Sequence, residues 1–117
     1  MLKNNKKIIV TKHRFAISFF EQLSGLMFKK RKDVDYALIF ILKKPSTFSA
    51  IIHTFFMNFP IHLIFLDSSK KIVDIKKNLK PYSLYKPKQK SKYIVEIPAD
   101  ISIDYLKKGD KLSWCKD

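Results

Sequence analysis

The chain has 117 residues, 46% of them hydrophobic, with ten Phe and five Tyr, which suits one compact core and excludes a disordered segment. Its formal net charge is +14, from 24 Lys and Arg against 10 Asp and Glu, and only Arg14 and Arg31 are arginine. That balance fits diffuse attraction to polyanions better than bidentate base readout, which favours the guanidinium, and the lone Cys115 excludes an intrachain disulfide.

Met1 to Lys7 reads as a basic tail ahead of a single domain over residues 8–117. The apolar run Ile8-Ile9-Val10 is too short for a secretory signal, so a cytoplasmic protein is expected. Ile8 to Lys12 predicts a first strand. Phe15 to Leu23 predicts a short helix, because Phe15, Phe19, Phe20 and Leu23 fall on one helical face. Gly25 is placed to end that helix in the left-handed conformation, with Leu26 and Met27 folding back. Lys29 to Lys32, followed by Asp33 and Asp35, predicts an exposed turn. Tyr36 to Leu42 is a continuous apolar run of strand length, hence a strand buried on both faces, which Lys43-Lys44-Pro45-Ser46 should end.

Pro45 to Leu66 carries no formal charge and is long enough to span a membrane as a helix. Asn58 and Pro60 would break such a helix near its middle, so no transmembrane segment is expected. Two strands, Ala50 to Met57 and Ile61 to Asp67, joined at Asn58-Phe59-Pro60, account for the run. Asp67 to Lys71 then predicts a hairpin connection into Ile72 to Ile75. Lys76 to Lys92, with seven lysines, two prolines and no acid, predicts a long irregular loop. Tyr93 to Ile97 alternates, with Tyr93, Val95 and Ile97 on one side and Ile94 and Glu96 on the other. Ser102 to Lys107 suggests one helical turn, and Gly109-Asp110 opens a last strand through Leu112 and Trp114. Strands dominate, so the fold class is α+β, mostly β, in a single compact domain.

Several pieces in this order resemble one family, DUF192 or UPF0127. They are Gly25-Leu26-Met27 after a short helix, the strand Ala37-Leu38-Ile39-Phe40, and the aromatic-Met turn Phe55-Phe56-Met57-Asn58-Phe59-Pro60-Ile61. Ile64-Phe65-Leu66-Asp67 with Ile72-Val73 follows, then Tyr93-Ile94-Val95-Glu96-Ile97-Pro98-Ala99 and Lys108-Gly109-Asp110. The resemblance covers residues 8 to 114 and implies an open or barrel-like mixed sheet with one or two short helices. It brings no catalytic residue or cofactor with it. Three positions depart from the family pattern: Asn58 stands where relatives carry Lys or Arg, His62 where Asp is expected, and Asp100 where Gly is expected.

The turn collects polar side chains among aromatics. His53, Phe55, Met57, Asn58 and His62, with Phe59 beside them, are the candidate ligand-binding residues, suited to a small molecule or peptide. His53, His62 and Asp67 are too widely spaced for a usual zinc pattern, so neither a metal nor a cofactor is expected. Asp67 and Asp110 read as turn-fixing carboxylates and Glu96 as a partly buried structural partner, which favours a binding or accessory role over an enzyme. The alternative is single-stranded nucleic acid such as RNA on the 76–92 loop. There Lys76, Lys77, Lys80, Lys86, Lys88, Lys90 and Lys92 would meet phosphates, and Tyr82 and Tyr85 would stack on bases.

Overall fold

The computed structural model describes residues 1–4, 7–17 and 19–114 (for Phe19 and Phe20, the backbone); Cys115 and the expected Phe19–Phe20 packing face lie outside the described residues. In chain order come β1 (Leu2–Asn4), β2 (Lys7–Val10), β3 (His13–Ala16), α1 (Phe19–Ser24), a 3-10 turn (Arg31–Asp33), β4 (Ala37–Ser46), β5 (Ile52–His53), β6 (Ile61–Leu66), β7 (Ile72–Leu79), β8 (Leu84–Tyr85), β9 (Ser91–Pro98) and β10 (Leu112–Trp114). The main sheet has five strands in the order β3-β4-β9-β6-β7, with β3 parallel to β4 and the other pairs antiparallel. It is open, with β3 and β7 as its edges. A three-stranded sheet β10-β1-β2 and the two-stranded pair β5-β8 complete the fold.

The runs read as buried strands are buried because both faces of the main sheet are covered. One face carries Leu38, Phe40, Leu63, Phe65 and Ile94 and packs on Leu26, Val34, Ala50, Ile52, Met57 and Phe59 from the connections. The other carries Ala37, Ile39, Ile64, Leu66, Val95 and Ile97 and packs on Leu2, Val10, Ile103 and Leu112. Alternation along β4, β6 and β9 supplies both layers, which is why none of the three is amphipathic.

Several expected elements change. Residues 2–4, expected within a basic tail, form the middle strand of the small sheet, and Leu2 is fully buried there. Helix α1 begins at Phe19, not Phe15, because His13–Ala16 instead pairs with β4 in register His13↔Ala37 to Ala16↔Phe40. A helix of so few turns is marginal alone, and sheet pairing outcompetes its first turn. β4 continues through Pro45 to Ser46, with an irregular register between Ile41 and Ser46 that accommodates the proline. The strand expected over Ala50 to Met57 is only Ile52–His53, since the chain turns at Phe55–Phe56, with Phe56 at φ 61°. The 76–92 segment is not one continuous loop: β7 runs on to Leu79, β8 intervenes, and β9 starts at Ser91. Ser102 to Lys107 makes turns and no helix, with Ile103 and Leu106 buried.

The turns carry the expected polar devices. Asp67 Oδ1 accepts from the backbone N–H of Ser69 (2.8 Å) and Lys71 (3.0 Å), closing the β6–β7 hairpin. Asp100 meets Arg31 in two hydrogen bonds, Nε to Oδ2 at 2.8 Å and Nη2 to Oδ1 at 2.7 Å. Among the described residues, no helix is long and apolar enough to cross a membrane.

Candidate functional site

Where α1 ends above the sheet, the chain turns sharply at Gly25. Its N–H donates to the Glu21 carbonyl (2.9 Å) and its φ is +49°, the left-handed conformation that glycine adopts without cost. Gln22 ties the helix to the sheet by donating from Nε2 to the carbonyls of Ala16 (3.1 Å) and Ile41 (3.0 Å). Beneath the turn lies Glu96, on the central strand β9, with Leu38 and Leu63 as its cross-strand neighbours. The strand's alternation directs this carboxyl into the apolar face. It is 2% exposed, and Oε1 has no hydrogen-bond partner among the described residues. Burial pushes its pKa up to about 8, so the carboxyl is protonated at neutral pH.

A cavity of about 20 Å³ opens at this point, lined by Gln22, Gly25, Ile52, His53 and Glu96 among others. It is large enough for one water-sized group. A methyl added at Gly25 would lie 3.4 Å from Glu96 Oε1 and 3.6 Å from the tip of Phe40, so the glycine leaves the carboxyl uncovered. His53 forms part of the rim. Its Nδ1 accepts the Phe55 N–H (3.1 Å), which makes Nε2 the protonated nitrogen that donates to the Leu23 carbonyl (2.9 Å).

Beside the cavity is an aromatic shelf. Phe55 stacks on His53 (centroids 5.3 Å apart, planes 24°), and Tyr82 reaches Phe55 (6.4 Å) and Phe56 (5.8 Å). Phe28 stacks on Phe56 (5.3 Å, 23°). The shelf is held from below by Thr54, which is fully buried. Its hydroxyl donates to the Lys80 carbonyl (2.6 Å) and accepts from the Ser83 N–H (2.9 Å), while its carbonyl accepts the Tyr82 N–H (3.0 Å). The Phe28 N–H donates to the Phe56 carbonyl (2.9 Å). Phe28, Phe56 and Tyr82 all have left-handed backbones, with φ of 63°, 61° and 59°. Each such bulky residue costs about 1 kcal/mol or more in backbone strain.

The structure divides the residues expected to form one site. His53 and Phe55 do stand together. Met57 and Phe59 are buried in the core beneath them. Asn58 is exposed and donates from Nδ2 to the Lys29 carbonyl (3.0 Å), bracing the turn. His62 lies on the opposite face of the sheet, by strand alternation with Ile64 and Leu66. It is 4% exposed, its Nδ1 accepts the Asn78 N–H (3.1 Å), and burial holds its pKa below the usual 6.5. It therefore cannot line the same site as His53.

The basic loop is divided as well. Tyr85 packs on Phe65 (5.6 Å), and its hydroxyl donates to the buried Asp74 carboxylate (2.6 Å), so its ring is part of the interior. Burial and that carboxylate push its pKa up to about 12. Asp74 also accepts the N–H of Lys88 (3.1 Å), pinning the loop. Lys77 pairs with Asp104 (2.9 Å), Lys76 stands over the Tyr85 ring (6.0 Å), and the Lys92 ammonium donates to the carbonyls of Leu42 and Lys43. Of the two tyrosines, only Tyr82 presents its ring to solvent.

Sequence reasoning underweighted Glu96 and missed Phe28 and Phe56. A signal for Glu96 existed: a lone carboxylate inside the run Ile94-Val95-Glu96-Ile97, on a strand apolar on both sides. Nothing distinguishes Phe28 and Phe56 from core phenylalanines, because their exposure follows from turns set by distant backbone partners.

The DUF192 family model, described as an uncharacterised ACR, matches residues 1–114. A UPF0127 protein of Thermococcus sibiricus is 41% identical over 114 residues, spanning 96% of this chain and 71% of that one. Another from Pyrococcus horikoshii is 43% identical over 102 residues, 86% of this chain and 85% of its own length. Among solved structures, a protein of unknown function from Novosphingobium aromaticivorans superposes with a TM-score of 0.77 at 24% identity, covering 87% of this chain and 74% of that one. A putative transcription regulator from Sinorhizobium meliloti gives the same TM-score at 19% identity, covering 86% and 79%. Those two likenesses are of fold alone.

Proposed function

The chain belongs to the DUF192 family of uncharacterised proteins, and we propose that it is a non-catalytic binding or accessory module taking an uncharged polar group in the Glu96 cavity. One observation carries this reading: a fully buried carboxyl whose Oε1 has no partner, facing a cavity that Gly25 leaves open. A buried polar atom without a partner costs about 1–3 kcal/mol, and a ligand that supplies the missing hydrogen bond recovers it. The protonated carboxyl offers one donor and one acceptor side by side, which complements an amide or a hydroxyl pair and disfavours an anion. The cavity admits only the polar tip, leaving the rest of the ligand against His53 and Phe55.

Binding is favoured over acid–base catalysis because both nitrogens of His53, the imidazole lining the cavity among the described residues, are already engaged. The nucleic-acid alternative on the 76–92 loop loses Tyr85, Lys77 and Lys92 to structural contacts. A cytoplasmic location belongs to the same proposal, since the single cysteine asks for no oxidising compartment.

Native mass spectrometry on gently purified protein tests it. The wild type should retain a discrete organic mass that E96L loses with its circular dichroism unchanged, while E96Q, with its donor and acceptor, retains it. A bare wild-type mass, combined with no thermal shift from simple amides or sugars, would sink the cavity as a binding site.

A further inference from the structure

Phe28, Phe56 and Tyr82 are 71%, 49% and 63% exposed, yet Phe56 contacts both of the others and all three hold left-handed backbones. Among the described residues, only Lys70 and Asn78 are the other non-glycine positions in that conformation. Three strained aromatics gathered on one exposed surface are not explained by packing, since their rings largely face water. Strain of this kind persists where the surrounding structure enforces it, and here the Thr54 clamp and the Phe28–Phe56 backbone bond do so.

The chain segments that build the shelf are basic. The segments that carry the rings, residues 26–32, 43–66 and 75–95, hold no Asp or Glu. Lys29 and Lys30 follow Phe28 directly, and Lys80 precedes Tyr82 by two positions. All three lysines are exposed, and none is in an ion pair among the described residues. Exposed aromatic faces bordered by unpaired cations combine base stacking with phosphate attraction, the two contacts that hold single strands without sequence preference. An anionic lipid surface would meet the same lysines and also accepts aromatic side chains at its interface, so vesicle flotation is one arm of the test. An acidic protein surface would meet the same lysines, but flat nucleobases are what exposed ring faces stack with best.

We propose that the Phe28–Phe56–Tyr82 shelf, with Lys29, Lys30 and Lys80, binds single-stranded nucleic acid by stacking bases on the rings. Phe28, Phe56 and Tyr82 do not line the neighbouring Glu96 cavity, so the proposal stands whether or not the cavity takes a ligand. It retains Lys80 and Tyr82 from the basic loop and adds Phe28 and Phe56 from two other segments.

The test is fluorescence anisotropy of a fluorescein-labelled twelve-residue oligouridylate titrated with the full chain. With three phosphates engaged, log affinity should fall with log salt at a slope of about −2. The variants F56G and Y82G remove a ring and also relieve the left-handed strain, so the fold should survive, as circular dichroism can verify. Each should weaken binding by roughly tenfold or more. K29E/K30E should flatten the salt slope. Absence of oligouridylate binding at low salt overturns the proposal, as does equal binding by F56G and Y82G. Two further results overturn it by reassigning the shelf. One is flotation with anionic phospholipid vesicles that F56G abolishes while oligouridylate stays unbound. The other is concentration-dependent self-association lost in the same variant.

Discussion

The buried carboxyl of Glu96 makes stability depend on pH in a direction opposite to that of an ion-paired carboxylate. Its pKa rises from 4.5 to about 8 on folding, because burial penalises the charged form. The folded protein therefore holds a proton that the unfolded chain releases between those values, and stability falls as pH rises through that window. The contribution is fully present below the unfolded value of 4.5 and is lost as pH climbs through about 8. Integrated between about pH 5 and about pH 8.5, the loss is about 4 kcal/mol, an upper value because water entering the cavity would solvate part of the charge. Glutamine has the same shape and never ionises, so E96Q should lack this component. Urea unfolding followed by far-ultraviolet circular dichroism, for wild type and E96Q across that range, isolates it, since every other titrating group is common to both. The advantage of E96Q should widen steadily with pH. Parallel curves would refute the reasoning, because they would mean that the carboxyl keeps its ordinary pKa in the fold.

Three other outcomes are expected. G25V places a β-branched residue at φ +49° and against the Glu96 carboxyl, and should cost about 1–2 kcal/mol, lowering Tm by roughly 4–10 °C; an unchanged calorimetric Tm contradicts this. Y85F removes the 2.6 Å bond to buried Asp74 and should cost about 1.5–3 kcal/mol by urea unfolding, with faster amide exchange at Lys88; an unmoved midpoint would show that the bond adds nothing. His62 is held below 6.5 by burial, so its contribution is present above that value and is lost as pH falls through its lower folded value. The stability gap between wild type and H62Q should therefore shrink on acidification, and a gap that stays constant would mean that the imidazole charges as freely folded as unfolded.

The apolar runs of β4, β6 and β9 were legible because a strand covered on both faces is mostly apolar on both, and short runs bounded by turn residues suit a strand better than a helix. Gly25 was legible for a similar reason, since a left-handed helix end selects glycine, and Asp67 because a short carboxylate reaches its own turn's N–H groups. Each of these is fixed by local chemistry. The site was not local. His53 and His62 look equivalent in the sequence, yet one sits on a rim and the other behind the sheet, because the chain turns at Phe55–Phe56 instead of continuing as a strand. The same holds for Phe15 and Ala16, which are helical by spacing but pair, within His13–Ala16, with the open edge of β4. Sequence determined which residues were apolar, turn-forming or basic. Only the tertiary structure decided that Glu96 would lie unpartnered under Gly25 and that Phe28, Phe56 and Tyr82 would meet in the open. Both depend on backbone partners tens of residues apart, and local propensity carries no information about which distant segment a strand edge or a carbonyl will find.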